Sequence, residues 1–376
     1  MNLSFWERDT WFSNIDFAVI GSGIVGLSCA LSLRKRFPNA KIVVFEKGML
    51  PSGASTKNAG FACFGSVSEI LDDLRTHSEE EVVELIRARV NGLNLLRNTL
   101  GDSQLEFQQQ GGYELFTEYD RELYENCLEK VPYINSLLKN VFFDENEVFS
   151  IKNDPFSFNN IQKQLIFNRF EGQLNTGKMM HALIRKASEM GILVLNNANI
   201  VSYLDKNDQI LIKMPENVEF SSKKLFIATN GFAKQLFSED VIPARAQVLI
   251  THPIKNLHIK GTFHLDRGYY YFRNVGDRVL FGGGRNLDFS TEETMDFGTT
   301  GLVQNRLEEL LSTTILPNTS FTIDTRWSGI MGVGQQKKPI VKQLSNNVYC
   351  GVRLGGMGIA IGSSIGKQLA DLLPSS

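Results

Sequence analysis

Apolar and polar positions follow a regular order near the start of the chain. Residues 16–20 (DFAVI) form a short apolar run that predicts a buried strand. Apolar positions then recur at helical spacing from Leu27 to about Arg36. A second apolar run, residues 41–45 (KIVVF), ends at Glu46. The order of strand, helix and strand predicts a βαβ unit whose two strands are parallel.

The rest of the chain interleaves helical and strand-like segments. Helical spacing recurs in residues 66–100, 118–140, 177–190 and 297–312, and a final helix is predicted up to Leu373. Strands are predicted within residues 105–116, 193–213, 224–228, 241–285 and 320–350. We therefore predict an α/β fold with two domains. The first, discontinuous domain comprises residues 1–65, 150–240 and 320–376, and the second comprises residues 66–149 and 241–319.

The turn after the first strand carries a G-x-G-x-x-G pattern. Gly21 permits the tight turn, Gly23 lets the backbone approach a pyrophosphate, and Gly26 lets the helix pack closely on the strand. Ile24 and Val25 lie at the start of the helix, where free N–H groups and the helix dipole favour phosphate. The pattern predicts a dinucleotide site, and a glycine turn in an ordinary βαβ unit is the alternative.

An acidic residue ends the second strand, where dinucleotide-binding folds bind the ribose. The carboxylate of Glu46 can accept hydrogen bonds from a ribose diol and would repel a 2′-phosphate. Lys47 follows it and is included in the predicted site. An ordinary βαβ unit needs no acid at this spacing, so Glu46 favours the dinucleotide interpretation.

Composition argues against several other classes of protein. The length of 376 residues suits two domains, and the net charge of −2 argues against a broad nucleic-acid-binding surface. The sequence has no apolar run long enough to span a membrane and no secretory signal, so we expect a cytoplasmic protein. Scattered cysteines predict buried, reduced thiols, and the dispersed cysteines and histidines predict no metal site.

Glycine and other small residues cluster in further loops, each next to a predicted strand end. Such residues let the backbone approach a flat, polyanionic cofactor closely. The candidate cofactor residues in these loops, together with Ile200, are Ala54, Ser55, Thr56, Asn58, Ala59, Gly60, Thr229, Asn230, Gly231, Gly355, Gly356, Met357 and Gly358. Because glycine turns are common, the interpretation depends on the joint pattern rather than on any one loop.

Nearly the whole chain resembles the FAD-dependent amino-acid and amine oxidoreductases of the D-amino-acid oxidase superfamily, such as glycine oxidase, sarcosine oxidase and D-amino-acid dehydrogenases. The resemblance lies in residues 21–46, 54–60 (ASTKNAG), 171–174 (EGQL), 228–231 (ATNG), 243–247 (PARAQ) and 355–358 (GGMG). It implies that the first domain is a Rossmann-type FAD-binding domain, with an inserted substrate domain of mixed β-sheet plus helices. It also implies non-covalent FAD, since no cysteine or histidine matches a covalent flavin link.

The resemblance further implies oxidation of the C–N bond of a small amine or amino acid. Hydride would pass to flavin N5, and the resulting imine would hydrolyse. The enzyme would be an oxidase or a dehydrogenase acting on CH–NH or CH–NH₂ donors. Two alternatives stay open: a flavin-dependent enzyme acting on an aminomethyl group of modified tRNA, and a non-catalytic FAD-binding subunit of a hetero-oligomeric dehydrogenase.

One residue typical of the superfamily is missing. Many members carry a carboxylate-binding arginine shortly after a W-x-G segment, but here residues 327–329 (WSG) are followed by Ile330 and Met331. Methionine cannot replace the bidentate guanidinium. Arg285 and Arg353 are the candidates to take its place as catalytic-site residues, and a structural ion pair is the alternative for each.

Three consecutive tyrosines lie on a predicted strand. Alternation along the strand places Tyr270 on the face opposite to Tyr269 and Tyr271. We predict that Tyr271 lines a pocket above the flavin and orients an amine. The alternative is an aromatic sheet face packed on a core.

Overall fold

The computed structural model describes residues 3–142 and 147–374. The helices are α1 (Phe5–Glu7), α2 (Ile24–Arg36), α3 (Ala54–Lys57), α4 (Val67–Asp73), α5 (Glu79–Leu100), α6 (Asp102–Leu105), α7 (Arg121–Leu138), α8 (Thr176–Glu189), α9 (Phe289–Glu292), α10 (Gly301–Leu310) and α11 (Gly358–Asp371). Short 3₁₀ turns occupy Asn230–Gln235 and Arg285–Leu287, and π-helical turns occupy Arg8–Phe12 and Leu311–Ile315.

The strands fall into two large sheets and one short pair. In chain order they are β1 (Ile15–Ile20), β2 (Ile42–Phe45), β3 (Phe61–Ala62), β4 (Gly112–Glu114), β5 (Phe149–Asn153), β6 (Gln164–Asn168), β7 (Gly172–Gln173), β8 (Leu193–Leu195), β9 (Ser202–Lys206), β10 (Gln209–Lys213), β11 (Glu219–Ile227), β12 (Ile242–Thr251), β13 (Thr262–Leu265), β14 (Tyr270–Val275), β15 (Arg278–Gly283), β16 (Ile323–Val333), β17 (Ile340–Gln343) and β18 (Val348–Val352).

The first sheet is built around the predicted βαβ unit, which the structure confirms. Its order is β17-β18-β11-β1-β2-β8, and β18, β11, β1, β2 and β8 are mutually parallel. The β9–β10 hairpin pairs with β11. Val19 is buried beneath the helices and Ala18 is buried against the hairpin side, which explains why the strand sequence is apolar at successive positions. Four loops with predicted cofactor residues, called here the glycine corners, all leave the carboxyl edge of this sheet. They comprise residues 21–26, 54–60, 229–231 and 355–358.

The second sheet is mixed and has the order β16-β12-β15-β14-β13-β4-β6-β5. Its pairs are antiparallel except for β13 with β4. One face packs on α10 through a core that contains Tyr270, Phe272 and Phe281. The other face carries Tyr271 and turns toward the first sheet. The α/β fold class, with a parallel sheet and a separate mixed sheet, is therefore as predicted from the sequence.

Helices cover the first sheet through close contacts at glycines. A Cβ atom on Gly366 of α11 would lie 2.5 Å from the carbonyl oxygen of Val25 in α2, and one on Gly92 of α5 would lie 2.3 Å from that of Ala360 in α11. Neither position can accept a side chain without separating the helices. These crossings bring the amino end of α11 to the carboxyl edge of the sheet.

Sheet membership differs from the predicted domain ranges at two places. Strands β5 and β6 lie in residues assigned largely to the first domain but pair in the second sheet, and so does β16. The physical reason is that periodicity identifies a strand but not its partner. The domain division itself stays a prediction, and its ranges also include residues 1–2, 143–146 and 375–376, which lie outside the described residues.

Two expectations from composition can be compared with the structure. Cys29, Cys63, Cys127 and Cys350 are all buried and free, as predicted. Within residues 3–142 and 147–374, every helix is too short or too polar to cross a membrane.

Candidate active site

A cavity of about 800 Å³ lies at the carboxyl edge of the first sheet and reaches the second sheet. Most of the predicted cofactor residues line it, namely Gly21, Gly23, Ile24, Val25, Glu46, Lys47, Ala54, Ser55, Asn58, Ala59, Ile200, Thr229, Asn230, Gly355, Gly356, Met357 and Gly358. The predicted residues Gly26, Thr56, Gly60 and Gly231 lie outside this lining and shape the loops behind it.

The first glycine corner has the geometry that close backbone approach requires. Gly21 has a φ of +101°, and a Cβ atom there would lie 2.8 Å from the carbonyl oxygen of Ala228. A Cβ atom on Gly26 would lie 1.9 Å from the carbonyl oxygen of Gly21, so only glycine lets α2 start this close to β1. The amino end of α2 thus opens onto the cavity.

The loop of residues 54–60 is held against this helix end by side-chain hydrogen bonds. The hydroxyl of Ser55 accepts a hydrogen bond from the backbone N–H of Ile24 at 3.0 Å. Asn58 donates to the carbonyls of Ala54 and Ser55 and accepts from the N–H of Gly60 at 2.8 Å. Asn58 therefore organises the loop, which explains its place in the pattern.

Glu46 is buried at the end of β2, and its carboxylate already has several donors. One oxygen accepts from the N–H and hydroxyl of Ser22 at 3.1 and 2.7 Å. The other accepts from the N–H of Gly48 and the hydroxyl of Ser52, both at 2.9 Å. These bonds fix the carboxylate at the cavity wall, where its predicted contact with a ribose would add to them.

The loops after β11 and β18 are joined through one amide. The Oδ1 atom of Asn230 accepts from the N–H groups of Arg353 and Leu354 at 3.0 and 3.2 Å. A Cβ atom on Gly231 would lie 2.5 Å from the carbonyl oxygen of Met331, so the loop also packs on β16. Beside them, the Oγ1 atom of Thr229 is buried and has no hydrogen-bond partner among the described residues.

The second sheet closes the other side of the cavity with aromatic residues. Tyr271 lines the cavity and packs edge-on against Phe61 at 5.4 Å between ring centroids, while Tyr270 points into the opposite core. The predicted alternation of the tyrosines is therefore confirmed. Burial raises the pKa of Tyr271 to about 12, so its hydroxyl stays protonated. This hydroxyl forms no hydrogen bond within the described part of the chain.

The two candidate arginines lie in different environments. Arg353 donates to Asp240 Oδ2 at 2.6 Å and to the carbonyl oxygen of Lys338 at 2.9 and 3.1 Å. These partners favour a structural role for Arg353 over carboxylate binding, since they occupy its guanidinium. Arg285 is half-buried and lies over the rings of Phe289 and Tyr269, at 4.9 and 6.0 Å from their centroids.

A buried polar cluster at the cavity was not predicted from the sequence. His264 Nε2 lies 3.1 Å from Glu171 Oε2, and Cys63 Sγ completes a group whose potential ligand atoms lie within 4.8 Å of one another. Burial opposes a charge on His264, but attraction to Glu171 and the hydrogen bond between them raise its pKa to about 9. Cys63, Glu171 and His264 are far apart in the sequence and form no motif, so only the fold reveals this cluster.

Glycine corners around one cavity, between a parallel and a mixed sheet, define a dinucleotide-dependent oxidoreductase fold. The chain belongs to the family of FAD dependent oxidoreductases (DAO), whose model matches residues 16–372.

Similar proteins cover nearly the whole chain at low identity. "Probable oxidoreductase OrdL" of Haemophilus influenzae is 20% identical and covers 97% of this chain and 84% of its own length. Glycine oxidase from Geobacillus kaustophilus superposes with a TM-score of 0.75 at 18% identity, covering 95% of this chain and 94% of its own. L-proline dehydrogenase from P. horikoshii gives 0.73 at 18% identity, with 96% and 93% covered. At this identity, these structures support the fold alone.

The residues of the cavity fit the FAD that the family uses. The hydroxyl of Thr229 has no partner in the described chain and could form a hydrogen bond with a nucleotide. The glycines at the loop corners would let the backbone contact that nucleotide closely. The amino end of α2 and Ser55 would face its phosphates, Glu46 its ribose, and residues 355–358 its flavin. Bound there, FAD would supply a two-electron acceptor beside the second sheet.

Proposed function

We propose that this protein oxidises the C–N bond of a small amine or amino acid, giving an imine that hydrolyses. The observation that carries the proposal is a single cavity that joins the glycine corners of the first sheet to Tyr271, His264 and Arg285. FAD, bound non-covalently, would supply the two-electron acceptor for this oxidation. The side chains of the second sheet would then bind the substrate, orient its C–H bond and exclude water.

The names of similar structures support this chemistry. Glycine oxidase, L-proline dehydrogenase and iminodiacetate oxidase share the fold, and each name refers to a molecule with nitrogen attached to a carbon that bears a carboxylate. Aromatic rings of Phe61 and Tyr271 in the cavity wall can pack against an amine in its neutral form, which is the form that can lose a hydride.

Tyr271 is the residue that we assign to orienting the amine. Its hydroxyl is protonated, faces the cavity and has no partner among the described residues, so it can donate to or accept from a substrate. Tyr271→Phe should lower the rate of flavin reduction about tenfold with little change in FAD content. The rate is measured by anaerobic stopped-flow absorbance.

The matched control for this variant is Tyr270→Phe on the same strand. Tyr270 points away from the cavity into the core, so its variant should reduce flavin at the wild-type rate. Equal rates for Tyr271→Phe and Tyr270→Phe would remove Tyr271 from the mechanism.

Of the two arginines that the sequence offers for a substrate carboxylate, Arg285 is the one with fewer partners. Its guanidinium lines the cavity, lies on two aromatic rings and forms no ion pair with the described residues. The aromatic contacts would hold the planar group in one orientation, as carboxylate recognition requires.

The proposal is tested by anaerobic addition of amines and amino acids to the yellow, purified protein. A substrate should bleach the flavin absorbance at about 450 nm. Acid precipitation should release the flavin into the supernatant if the cofactor is non-covalent. A flavin-loaded protein that no amine or amino acid bleaches would contradict the proposed reaction and favour a role on modified tRNA or in a larger dehydrogenase.

A further inference from the structure

Arg89 is buried in the cavity wall with most of its hydrogen-bonding capacity unused. It lies on the inner face of α5, between Ile86 and Val90, and is only 7% exposed. One nitrogen, Nη1, donates to the carbonyl oxygen of Phe64 at 2.6 Å. Nε is buried and has no hydrogen-bond partner among the described residues. Within the same part of the chain, no carboxylate lies within ion-pair distance of this guanidinium.

Two other buried arginines in the described part of the chain have more complete partners. Arg245 pairs with Glu292 at 2.8 Å. Arg273 donates from all of its nitrogens to the carbonyls of Ala59, Leu174 and Asn274. A buried guanidinium without a counter-charge costs several kcal/mol unless something compensates it. The unmet donors of Arg89 therefore point to an anionic group that enters the cavity.

The position of Arg89 places it at the substrate end of the cavity. Phe64, which accepts its hydrogen bond, follows Cys63. The Sγ atom of Cys63 lies 3.9 Å from Sδ of Met357, in the predicted flavin loop. The guanidinium is thus next to the wall formed by Cys63 and the His264–Glu171 pair, and α5 is fixed there by its close contact with α11 at Gly92.

Acidic residues near this end of the cavity have partners of their own. Glu69 accepts a hydrogen bond from the N–H of Ser66 at 2.9 Å, and Asp72 lies 3.5 Å from Arg75. Glu171 accepts from His264, Thr262 and the N–H of Phe64. None of these carboxylates lies within 4.0 Å of Arg89 in the described chain.

We infer that Arg89 binds the carboxylate of the substrate and so supplies the guanidinium that is missing at Met331. The substrate is therefore an amino acid and not a simple amine. This inference rests on the proposed function for its chemical meaning, but its test needs no turnover, so the two can fail separately. Two oxygens of a carboxylate match the unused fork of donors on Arg89.

The test compares charged and neutral ligands of the same shape. Acetate, propionate and benzoate, and then acetamide, propionamide and benzamide, are titrated into the FAD-loaded protein, and binding is followed by the change in flavin absorbance. Wild type should prefer the carboxylates, and Arg89→Gln should reduce that preference about tenfold or more. Arg89→Lys should keep part of it, since the charge remains but the fork is lost.

Two further variants make the test specific. Arg87→Gln, on the same helix, removes an arginine that is paired with Glu84 at the surface and should bind all ligands as wild type does. Arg285→Gln removes another cation of the cavity wall. If Arg89 binds the carboxylate, this variant still prefers carboxylates to amides, whatever its effect on flavin reduction. If Arg89→Gln loses FAD, Arg89→Lys decides the matter by its selective weakening of carboxylate binding.

Several results would overturn the inference. One is a wild-type protein that binds acetamide and benzamide as tightly as acetate and benzoate. Another is loss of the preference in Arg285→Gln with its retention in Arg89→Gln and Arg89→Lys. A third is equal weakening of all six ligands, together with a lower melting temperature, in both Arg89 variants. That last pattern would assign Arg89 to supporting the Phe64 backbone.

Discussion

Buried arginines of this protein differ in how many of their hydrogen-bond donors have an acceptor within the fold. Arg353 is held by Asp240 and Lys338, and Arg273 by three backbone carbonyls, so both stabilise loops. Arg89 has a single acceptor and faces the cavity. Because a desolvated donor without an acceptor is costly, Arg89 is the one of these three arginines whose hydrogen bonds a ligand would complete.

Glu114 is a buried carboxyl group that should make stability depend on pH. Burial raises its pKa to about 7, despite hydrogen bonds from Ser68. In the unfolded chain the group ionises near its usual pKa of 4.5. Because the pKa is raised in the folded protein, the contribution of Glu114 to stability is largest below pH 4.5. This contribution is lost as the pH rises through about 7. Glu114→Gln should raise the melting temperature at about pH 8 and change it little at about pH 5.

The control for this prediction is Glu118→Gln, a change at an exposed carboxylate a few residues along the chain. It should leave the melting temperature unchanged at both pH values. Thermal unfolding followed by circular dichroism measures both variants. A destabilised Glu114→Gln at the higher pH would show that the ionised carboxylate is needed by the fold.

Residue-level features of this site depend on tertiary contacts that no local pattern contains. Glu46 and the glycines could be predicted because their chemistry is tied to a βαβ unit. His264 and Glu171 are far apart in the sequence and meet only when β13 packs beside the segment before β7. Arg89 gave one weak signal, a charged residue on the apolar face of a helix.

Among the elements, helices α2 and α11 can cross this closely because Gly366 has no side chain. A Cβ atom on Gly366 would meet the Val25 carbonyl at 2.5 Å and Ser28 Cβ at 2.6 Å. Gly366→Ala should lower the free energy of unfolding by about 3 kcal/mol, because overpacking forces the helices apart. Chemical denaturation measures the change.

A second glycine tests whether this effect is steric. Gly177 also lies in a helix, but a Cβ atom there would be no closer than 3.5 Å to its neighbour, Asn175 Oδ1. Gly177→Ala should therefore show only the helix-propensity gain of about 1 kcal/mol or less. Similar stabilisation of both variants would mean that the α2–α11 contact adjusts freely.

Elements with strong local signals were predicted well, and their pairing was not. Strand β1 and helix α8 match their predicted residues closely, since short apolar runs and a 3.6-residue period are local properties. The sheet membership of β5, β6 and β16 could not be predicted, since it is set by packing across the whole chain. The π-helical turn after α10 likewise extends beyond what periodicity indicates.

At the scale of the whole molecule, Arg273 ties the two sheets together. It projects from β14 of the second sheet and donates to the carbonyls of Ala59 and Leu174, which belong to segments beside the cofactor corner. Burial lowers its pKa to about 10, so it remains charged at neutral pH. Arg273→Met should weaken FAD retention about tenfold or more, because the 54–60 loop loses its anchor.

Two thermal transitions are compared to measure this effect. Flavin fluorescence records the release of FAD on heating, and circular dichroism records unfolding. In Arg273→Met the temperature of flavin release should lie several degrees below the melting temperature of the fold. Arg278→Met, on the neighbouring strand, removes a surface pair with Asp324 and should keep the two transitions as in wild type. Coincident transitions in Arg273→Met would show that other contacts couple the sheets.

Strand β18 comes more than a hundred residues after β11 in the chain, yet it pairs with β11 inside the first sheet, and α11 follows it onto α2. A nascent chain on the ribosome therefore exposes the open edge of β11 until β18 has emerged. The nucleotide has no complete cradle before that moment, so it cannot rescue an unfinished polypeptide. A truncated product that stops before α11 should therefore be degraded, even in cells supplied with excess riboflavin, the vitamin from which FAD is made.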